Sequence, residues 1–265
     1  QFVLDALITS PAWLGVTETA LVAAPPGRWD DGPDLRVRMQ RGTLLSAAPL
    51  DVLGGANRVA IGTGGAWEVL QFAEAELVAP DTYALRRRLR GQQGSDAVMP
   101  DLWPEGALLV VLDDRLEQIE LPRDALGLER AYRIGPVARP LDDASQRDFT
   151  LTAQGVGLRP YRPAHLRARV VAGNELTVSW IRRTREGGDG WGSADVPLSE
   201  AYERYLLRVH LGSTVLREEL LDAPGFVYTA AMRASDGAGA AFAIEVAQVS
   251  DVVGPGPFAR LEVVL

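Results

Sequence analysis

The sequence predicts an all-β protein with two domains, a β-rich domain with short helical turns over residues 1–158 and a seven-stranded β-sandwich over residues 159–265. Three observations support this prediction. The 17 prolines and 27 glycines separate short runs of β-branched and aromatic residues. The 265 residues, 47% of them hydrophobic, are enough for two cores. Two prolines in residues 156–163 fix an extended backbone, and longer alternating strands begin just after them.

Short, half-alternating runs predict nine strands in the first domain. They cover residues 35–39, 58–62, 67–72, 74–78, 82–89, 108–112, 118–121, 132–134 and 149–152. Residues 47–53 predict a brief helix that ends at two glycines, and residues 122–126 predict one further helical turn. A dense basic run lies in the 82–89 strand and just beyond it, and we interpret its side chains as a solvated, register-setting face of that strand. The run consists of Arg86, Arg87, Arg88 and Arg90.

The second domain has a clearer alternation of apolar and polar residues. Leu176, Val178 and Trp180 share one face of a strand, and a hairpin turning at Gly212 follows later in the chain. Seven strands result, at the spacing that an antiparallel sandwich uses. They cover residues 166–171, 176–180, 205–211, 214–220, 226–228, 242–248 and 261–263.

Three segments of this second domain resemble fibronectin type III domains. They are the Leu-x-Val-x-Trp pattern of residues 176–180, the Phe-x-Ile-x-Val pattern of residues 242–246 and the Gly-Pro-Gly-Pro loop of residues 254–257. The resemblance implies a corner before the sixth strand that a tyrosine hydroxyl anchors. This chain has Phe242 there, which cannot donate that hydrogen bond. A second departure is the long, glycine-rich loop of residues 182–200, and loops of this length are usually functional or mobile.

A second resemblance spans most of the chain. It rests on residues 67–72 (WEVLQF), 83–85 (YAL), 89–96 (LRGQQGSD), 132–136 (YRIGP), 155–161 (GVGLRPY), 179–185 (SWIRRTR) and 189–191 (DGW). This succession resembles the C-terminal part of the large tail-tip protein of gene transfer agents and tailed phages, a host-specificity or baseplate protein. In that family a glycoside hydrolase-like barrel lies upstream. Because this chain opens on Gln1 rather than methionine, we expect it to be a piece of a longer protein.

The tail-tip resemblance implies a non-catalytic structural part of a tail tip or baseplate that serves attachment to the target cell and DNA delivery. It implies assembly with copies of itself, as a trimer, and with other baseplate and tail proteins. It places the chain in an extracellular phage-like particle that is assembled in the bacterial cytoplasm. The alternative is a module that binds a cell-surface glycan or receptor through the loop of residues 182–200.

Composition disfavours several other classes of function. The net charge of −8 argues against specific nucleic-acid binding, which needs clustered positive charge. With no cysteine, the chain has no disulfide, thiolate nucleophile or cysteine-based zinc site. No run reaches the eighteen or so apolar residues that would predict a membrane-spanning helix. The Leu-Arg-Gly-x-x-Gly segment lacks the Gly-Lys-Ser/Thr ending of a phosphate-binding loop, so we expect a structural turn there.

The residues offer no candidate catalytic, metal or cofactor site. His165 and His210 lie in different strands, with no third histidine or cysteine to complete a metal set. The acidic pairs at 30–31, 113–114 and 142–143 fit turn chemistry better than catalysis, because neighbouring side chains on a strand point to opposite faces. Residues 186–190 offer only two carboxylates for calcium, and no Gly-x-Ser-x-Gly elbow occurs. We therefore expect no enzyme activity.

Exposed aromatic and polar side chains are the remaining prospect, because sugars and protein partners both stack on flat apolar faces. The candidates for partner or glycan contact are Trp191, Asp189, Arg183 and Arg185, all in the loop of residues 182–200. Trp13, Trp29 and Trp103 also lie in turn-rich sequence and are weaker candidates. Trp67 and Trp180 are expected in the two cores.

Overall fold

The computed structural model describes residues 4–186 and 196–265, and the contacts divide the chain into two units, residues 1–154 and 155–265. The division falls after Gln154, close to the predicted division at residue 158. The all-β prediction is confirmed, with 46% of the residues in strands and 9% in helices. Among the described residues, no helix is both long enough and apolar enough to cross a membrane.

The first unit contains eleven strands and one short α-helix among its described residues. The strands are β1 (Leu14–Thr17), β2 (Leu21–Val22), β3 (Trp29–Asp30), β4 (Leu35–Arg41), β5 (Arg58–Thr63), β6 (Ala66–Ala79), β7 (Thr82–Gln92), β8 (Leu102–Trp103), β9 (Leu108–Val111), β10 (Glu129–Ile134) and β11 (Arg147–Thr152). Helix α1 covers Pro49–Leu53, and single 3-10 turns cover Ser95–Ala97 and Arg123–Ala125.

Six of these strands close into an antiparallel barrel. Around the barrel the order is β1, β4, β7, β6, β5 and β9, and β9 pairs back onto β1. Beyond the end of β4, strand β3 continues the pairing along β7. Closure leaves the six strands no free edge within the ring, which removes the usual site of unwanted strand addition. The sequence predicted strands here but not β1, β2, β3 or β8, which are only two to four residues long.

The barrel is filled by one apolar cluster. Its buried members are Leu21, Leu35, Val37, Met39, Leu44, Val59, Ile61, Leu70, Phe72, Tyr83, Leu85, Trp103, Ala107 and Leu109. The expectation that Trp67 lies in this core is wrong, since its side chain is 39% exposed. Strand alternation turns Glu68 and Leu70 inward and Trp67 outward, where its ring lies over Gly62 of the paired strand.

The basic run on β7 is only partly a solvated face. Arg86 and Arg87 are partly exposed and pair with surface carboxylates, but Arg88 and Arg90 are 1% and 0% exposed at the side chain. The alternation of the strand changes at Arg87, which has a φ of 49°. Leu85 is buried before this point, and the two arginines are buried after it. The prediction was therefore wrong for half of the run.

Two further sequence expectations fail in the first unit. The predicted strand at residues 118–121 is absent from the described structure, and the two strands predicted at 67–72 and 74–78 form one continuous strand, β6. The brief helix is confirmed as α1, which packs Val52 against Ala73 and Leu89. Strands β10 and β11 form a separate two-stranded sheet with Tyr132 stacked on Phe149 at 5.5 Å between ring centroids.

The second unit contains eight strands and one helix among its described residues. The strands are β12 (Ala164–Val171), β13 (Glu175–Ile181), β14 (Tyr205–Leu211), β15 (Thr214–Leu221), β16 (Gly225–Tyr228), β17 (Ala241–Ser250), β18 (Gly254–Pro255) and β19 (Ala259–Val264). Helix α2 covers Ala230–Asp236, and 3-10 turns cover Val156–Leu158 and Ala172–Asn174.

Seven of these strands form the fibronectin type III-like sandwich that the sequence predicted. One sheet has the order β12-β13-β16, and the other has the order β15-β14-β17-β19, with the short β18 paired to the end of β17. The inner faces bury one core, and Trp180 is in it as predicted, with its ring edge-on to Tyr205. The buried members are Leu176, Val178, Trp180, Tyr205, Leu207, Val209, Tyr228, Ala238, Phe242, Ile244, Val246 and Val263.

The corner before β17 is held differently from the family pattern. Phe242 is buried and meets Tyr228 edge-on at 5.8 Å. The Tyr228 hydroxyl donates to Asp236 at 2.6 Å, and Arg217 donates to the same carboxylate from Nε at 2.7 Å. Asp236 ends α2, which Thr229 caps by accepting a hydrogen bond from Met232 N. A tyrosine in the preceding strand therefore anchors this corner through the helix.

Candidate functional site

The loop predicted to contact a partner is described only at its two ends. Trp191 and Asp189 lie outside the described residues, so their candidacy stays a prediction. Arg183 and Arg185 are described, and both contact their own domain. The Arg183 guanidinium lies 5.0 Å from the ring centroid of Tyr161, a cation–π distance. Arg185 forms an ion pair with Glu200 at 2.7 Å and donates to Ser199 O at 2.9 Å.

These contacts join the first and last residues of the loop. Glu200 is 3% exposed at the side chain, so its pairing with Arg185 is largely desolvated. Arg182 donates to the carbonyls of Val196 and Pro197, and the Thr184 and Ser199 hydroxyls are 2.6 Å apart. The described arginines therefore hold the base of the loop together.

The acidic pairs behave as the turn interpretation predicted. In each of the three pairs one aspartate accepts a hydrogen bond from the backbone N–H two residues later: Asp30 from Gly32, Asp113 from Arg115 and Asp143 from Ser145. The hydroxyl and amide of Ser145 hold the pKa of Asp143 below its usual value. These carboxylates serve turns rather than converging on a common point.

The two histidines also lie apart. His165, with a φ of 53°, is exposed on β12, whereas His210 lies on β14 with Nε2 2.9 Å from the Glu245 carboxylate. Within the described parts of the chain, no three histidine, cysteine or acidic side chains are grouped closely enough to hold a metal ion.

The barrel contains a buried ionic network that sequence reasoning missed. Glu68 accepts hydrogen bonds from Arg90 Nε at 2.7 Å and Nη2 at 2.9 Å, from Gly91 N at 3.0 Å and from Trp103 Nε1 at 2.7 Å. Glu68 and Arg90 are both 0% exposed at the side chain. Trp103, a weaker contact candidate in the sequence, is therefore a buried member of this network.

Asp30 extends the network to a second arginine. Its carboxylate lies 3.1 Å from Arg88 Nε and 3.3 Å from Arg90 Nη1. Burial raises the pKa of Asp30, but hydrogen bonds from Arg88, Gly32 and Arg90 outweigh that effect and leave the pKa below its usual value. Two carboxylates face two arginines, and each carboxylate accepts hydrogen bonds from both an arginine and a backbone N–H, which indicates a structural network.

The Leu-Arg-Gly-x-x-Gly segment gains its physical explanation from this network. Gly91 has a φ of 59°, and a Cβ placed on it would lie 2.6 Å from the Cβ of Asp96. The glycine therefore lets the backbone N–H reach Glu68 while the chain reverses into the 3-10 turn at Ser95–Ala97. The expected structural turn is confirmed.

The outer faces of the two sandwich sheets differ in whether their arginines are paired with carboxylates. On the four-stranded sheet, register places Glu218, Arg208, Glu245 and Arg260 directly opposite one another across β15, β14, β17 and β19. Arg208 lies 2.7 Å from Glu218, and Arg260 lies 2.8 Å from Glu245. We call these four residues the charge ladder.

In the described part of the chain, the outer face of the three-stranded sheet has no such pairing. Arg167 lies opposite Ser179, and Arg169 lies opposite Thr177, with all four side chains exposed. They line a shallow groove of about 400 Å³ together with Val171. The signal in the sequence is Arg-x-Arg followed, across a turn, by Thr-x-Ser, and sequence analysis passed over it.

Comparisons with known proteins give weak structural likenesses. Domains d3–d4 of the rat CD45 extracellular region are 14% identical, with a TM-score of 0.29, over 58% of this chain and 72% of that chain. The FN1–FN3 domains of chicken CNTN1 are 13% identical, with a TM-score of 0.28, over 94% of this chain and 64% of that chain. Titin domains A168–A170 are 8% identical, with a TM-score of 0.30, over 94% of this chain and 66% of that chain.

Comparison of the sequence with protein-family models gives a match that covers the barrel. None of the curated proteins compared matches the chain. Residues 12–110, which contain nearly the whole barrel from Leu14 on β1 to Val110 on β9, match the family model described as Rcc01698-like, C-terminal.

Proposed function

We propose that this chain is a non-catalytic structural part of a virus-like tail tip or baseplate and serves attachment to the target cell and DNA delivery. The observation that carries the proposal is the match of residues 12–110 to the Rcc01698-like C-terminal model, a family associated by its name with gene transfer agents. The tail-tip resemblance of the sequence points the same way.

The architecture suits a part that has to hold its shape. The barrel is closed and contains a buried ionic network, and the sandwich buries the inner faces of both sheets around one core. The aspartates at 30, 113 and 143 accept backbone hydrogen bonds in turns, which supports a structural rather than a catalytic role.

Assembly with copies of itself, as a trimer, and with other baseplate and tail proteins belongs to the same proposal. Support comes from the sheet of β10 and β11, where register places four apolar or aromatic side chains on one face, flanked by Arg130 and Arg147. Ile134, Phe149 and Leu151 on that face are 51%, 40% and 47% exposed. A two-stranded sheet is only marginally stable alone, so a partner that covers this face would stabilise it.

The test is to locate the chain in extracellular particles. An epitope tag inserted between Gly64 and Gly65 enters an exposed turn, where a Cβ on either glycine would meet no other atom within 4 Å. Particles from a producing bacterium that carries the tagged gene are then imaged with gold-labelled antibody. We expect gold at the tail tip.

A capsid protein that carries the same tag provides the matched control, with gold expected over the head. Gold on the heads of particles with the tagged chain, or particles that contain no tagged chain, would overturn the proposal. Gene-transfer frequency measured on the same preparations establishes that the tagged particles are intact.

A further inference from the structure

We propose that the outer face of the β12–β13–β16 sheet is a binding site for an acidic oligosaccharide, a carbohydrate that bears carboxylate or phosphate groups. The site consists of Arg167 and Arg169 on β12 and of Thr177 and Ser179 on β13. The proposal stands apart from the tail-tip assignment, because it concerns binding by the purified chain.

Within the described structure, these four side chains have no hydrogen-bond or ion-pair partner. Among the described residues, Arg167 and Arg169 form no ion pair or hydrogen bond, and the Thr177 and Ser179 hydroxyls form no hydrogen bond. Glu175 is the one carboxylate at the outward positions of these three strands. It lies opposite Val171 and pairs with neither arginine.

The charge ladder shows that arginines on the other outer face of the sandwich do have carboxylate partners. On the other sheet, Arg208 and Arg260 each have a carboxylate within 2.8 Å. Arg167 and Arg169 are two residues apart on one strand, so two like charges share a face roughly 7 Å apart at the backbone. An anion that bridges them would relieve their mutual repulsion.

The side chains of the site indicate which chemical groups a ligand would carry. Guanidinium groups bind carboxylate and phosphate oxygens with two parallel hydrogen bonds, and the hydroxyls opposite them can donate to or accept from sugar hydroxyls. Val171 at one end of the groove and Val227, 44% exposed on the next strand, offer apolar surface to the C–H face of a sugar ring.

Nucleic acid fits this groove less well. Among the described residues, no aromatic side chain lines it, whereas single-stranded nucleic acids bind mainly by stacking bases on aromatic rings. Two arginines on a chain of net charge −8 also give little of the clustered positive charge on which duplex binding depends.

The experiment measures binding to the purified chain by heteronuclear NMR and calorimetry. The probes are a hexameric oligogalacturonate, a phosphorylated maltohexaose, the neutral methyl ester of the oligogalacturonate, and a single-stranded DNA twelve-mer. We expect one or both acidic sugars to bind with a Kd below about 1 mM. The backbone amides of Thr177 and Ser179 should shift, and added salt should weaken the binding.

Paired variants distinguish the site from net charge. Arg167→Gln with Arg169→Gln should weaken binding about tenfold or more, because charge-assisted hydrogen bonds are lost. Arg208→Gln with Arg260→Gln makes the same change in net charge on the opposite face and should leave binding unchanged. All four side chains lie on the surface, so both variants should fold.

Three outcomes would overturn the proposal. In the first, neither acidic sugar binds. In the second, both double variants weaken binding equally. In the third, the neutral ester or the DNA binds more tightly than the acidic sugars through the same arginines. Which of the two acidic sugars binds identifies the anionic group.

Discussion

The barrel and the sandwich place arginine–carboxylate contacts in opposite environments. In the barrel, Glu68 and Arg90 are fully buried, and every oxygen and nitrogen of the pair has a partner. In the sandwich, the charge ladder runs across an outer face, where Glu218 is 51% and Arg260 is 47% exposed at the side chain. Similar hydrogen-bond distances therefore occur at very different costs of desolvation.

This difference shows that the distance between two charged groups does not by itself determine how much an ion pair contributes to stability. Removing one partner of a buried pair leaves a charge that water cannot reach, whereas removing one partner of a surface pair returns the other to solvent. The Tyr228–Asp236–Arg217 contact lies between these limits, with Asp236 9% and Arg217 21% exposed at the side chain. Three substitutions test whether the loss of stability increases with the burial of the ion pair.

Glu68→Gln should have the largest effect. It leaves the buried Arg90 guanidinium with only the more distant Asp30 as a carboxylate partner, and we expect a loss of about 3–5 kcal/mol in the stability of the first unit. Urea unfolding, followed by hydrogen exchange in β6 and β7, measures it.

The matched control is Glu76→Gln, which removes a 59% exposed partner of Arg86 and should cost less than about 1 kcal/mol. If Glu68→Gln proves too unstable to purify, a double variant that also carries Arg90→Met removes the unpaired buried guanidinium. This variant should recover part of the lost stability. Equal effects of Glu68→Gln and Glu76→Gln would contradict the comparison.

Asp236→Asn should have an intermediate effect of about 1.5–3 kcal/mol on the second unit at neutral pH, because a charged acceptor of two donors is lost. Hydrogen bonds from Arg217 and Tyr228 hold the pKa of Asp236 below its usual 3.8. The contribution of the carboxylate is therefore fully present above pH 3.8 and is lost as pH falls through the lower, folded pKa.

Unfolding curves at successive pH values down to acid test this sign. The difference between the original chain and Asp236→Asn should shrink as the carboxylate of the original chain becomes protonated. Asp222→Asn, at a 79% exposed partner of Arg204, serves as the control and should change little at any pH. A difference that grows on acidification would contradict the assignment.

Glu245→Gln should have the smallest effect, below about 1 kcal/mol, although Glu245 contacts both Arg260 and His210. Arg260 keeps Glu262 at 2.8 Å, so the cation stays partnered. Chemical unfolding in low and high salt measures it, and the effect should diminish with salt. A salt-independent loss above about 2 kcal/mol would show that the ladder behaves as a buried network.

The sandwich could be predicted from sequence because strands such as β13 alternate clearly between buried and exposed positions. Leu176, Val178 and Trp180 are buried on one side, and each of the seven predicted strands has a counterpart in the structure. Helix α2 was missed because its seven residues show no helical periodicity that a short window can resolve.

The barrel was harder to predict because its inner positions are not uniformly apolar. Glu68 and Arg90 occupy buried positions where alternation predicts hydrophobic side chains, so Trp67 was assigned to the core in place of its neighbour. Only the pairing of distant strands shows that the two charges neutralise each other. Residue identity predicts Arg183 and Arg185 as contact groups, and that stays a prediction. Their neighbours in space, Tyr161 and Glu200, could be found only from the structure.

The pairing of β1 with β9 has a consequence for how the barrel can be joined to other proteins. Leu14 and Val110 are cross-strand partners, so the chain enters and leaves the barrel at adjacent points. A segment with adjacent ends can be spliced into a surface loop of a host without forcing the host's own backbone apart. The Glu68–Arg90 and Asp30–Arg88 contacts lie entirely between those two ends, so an inserted barrel would keep both partners of each pair.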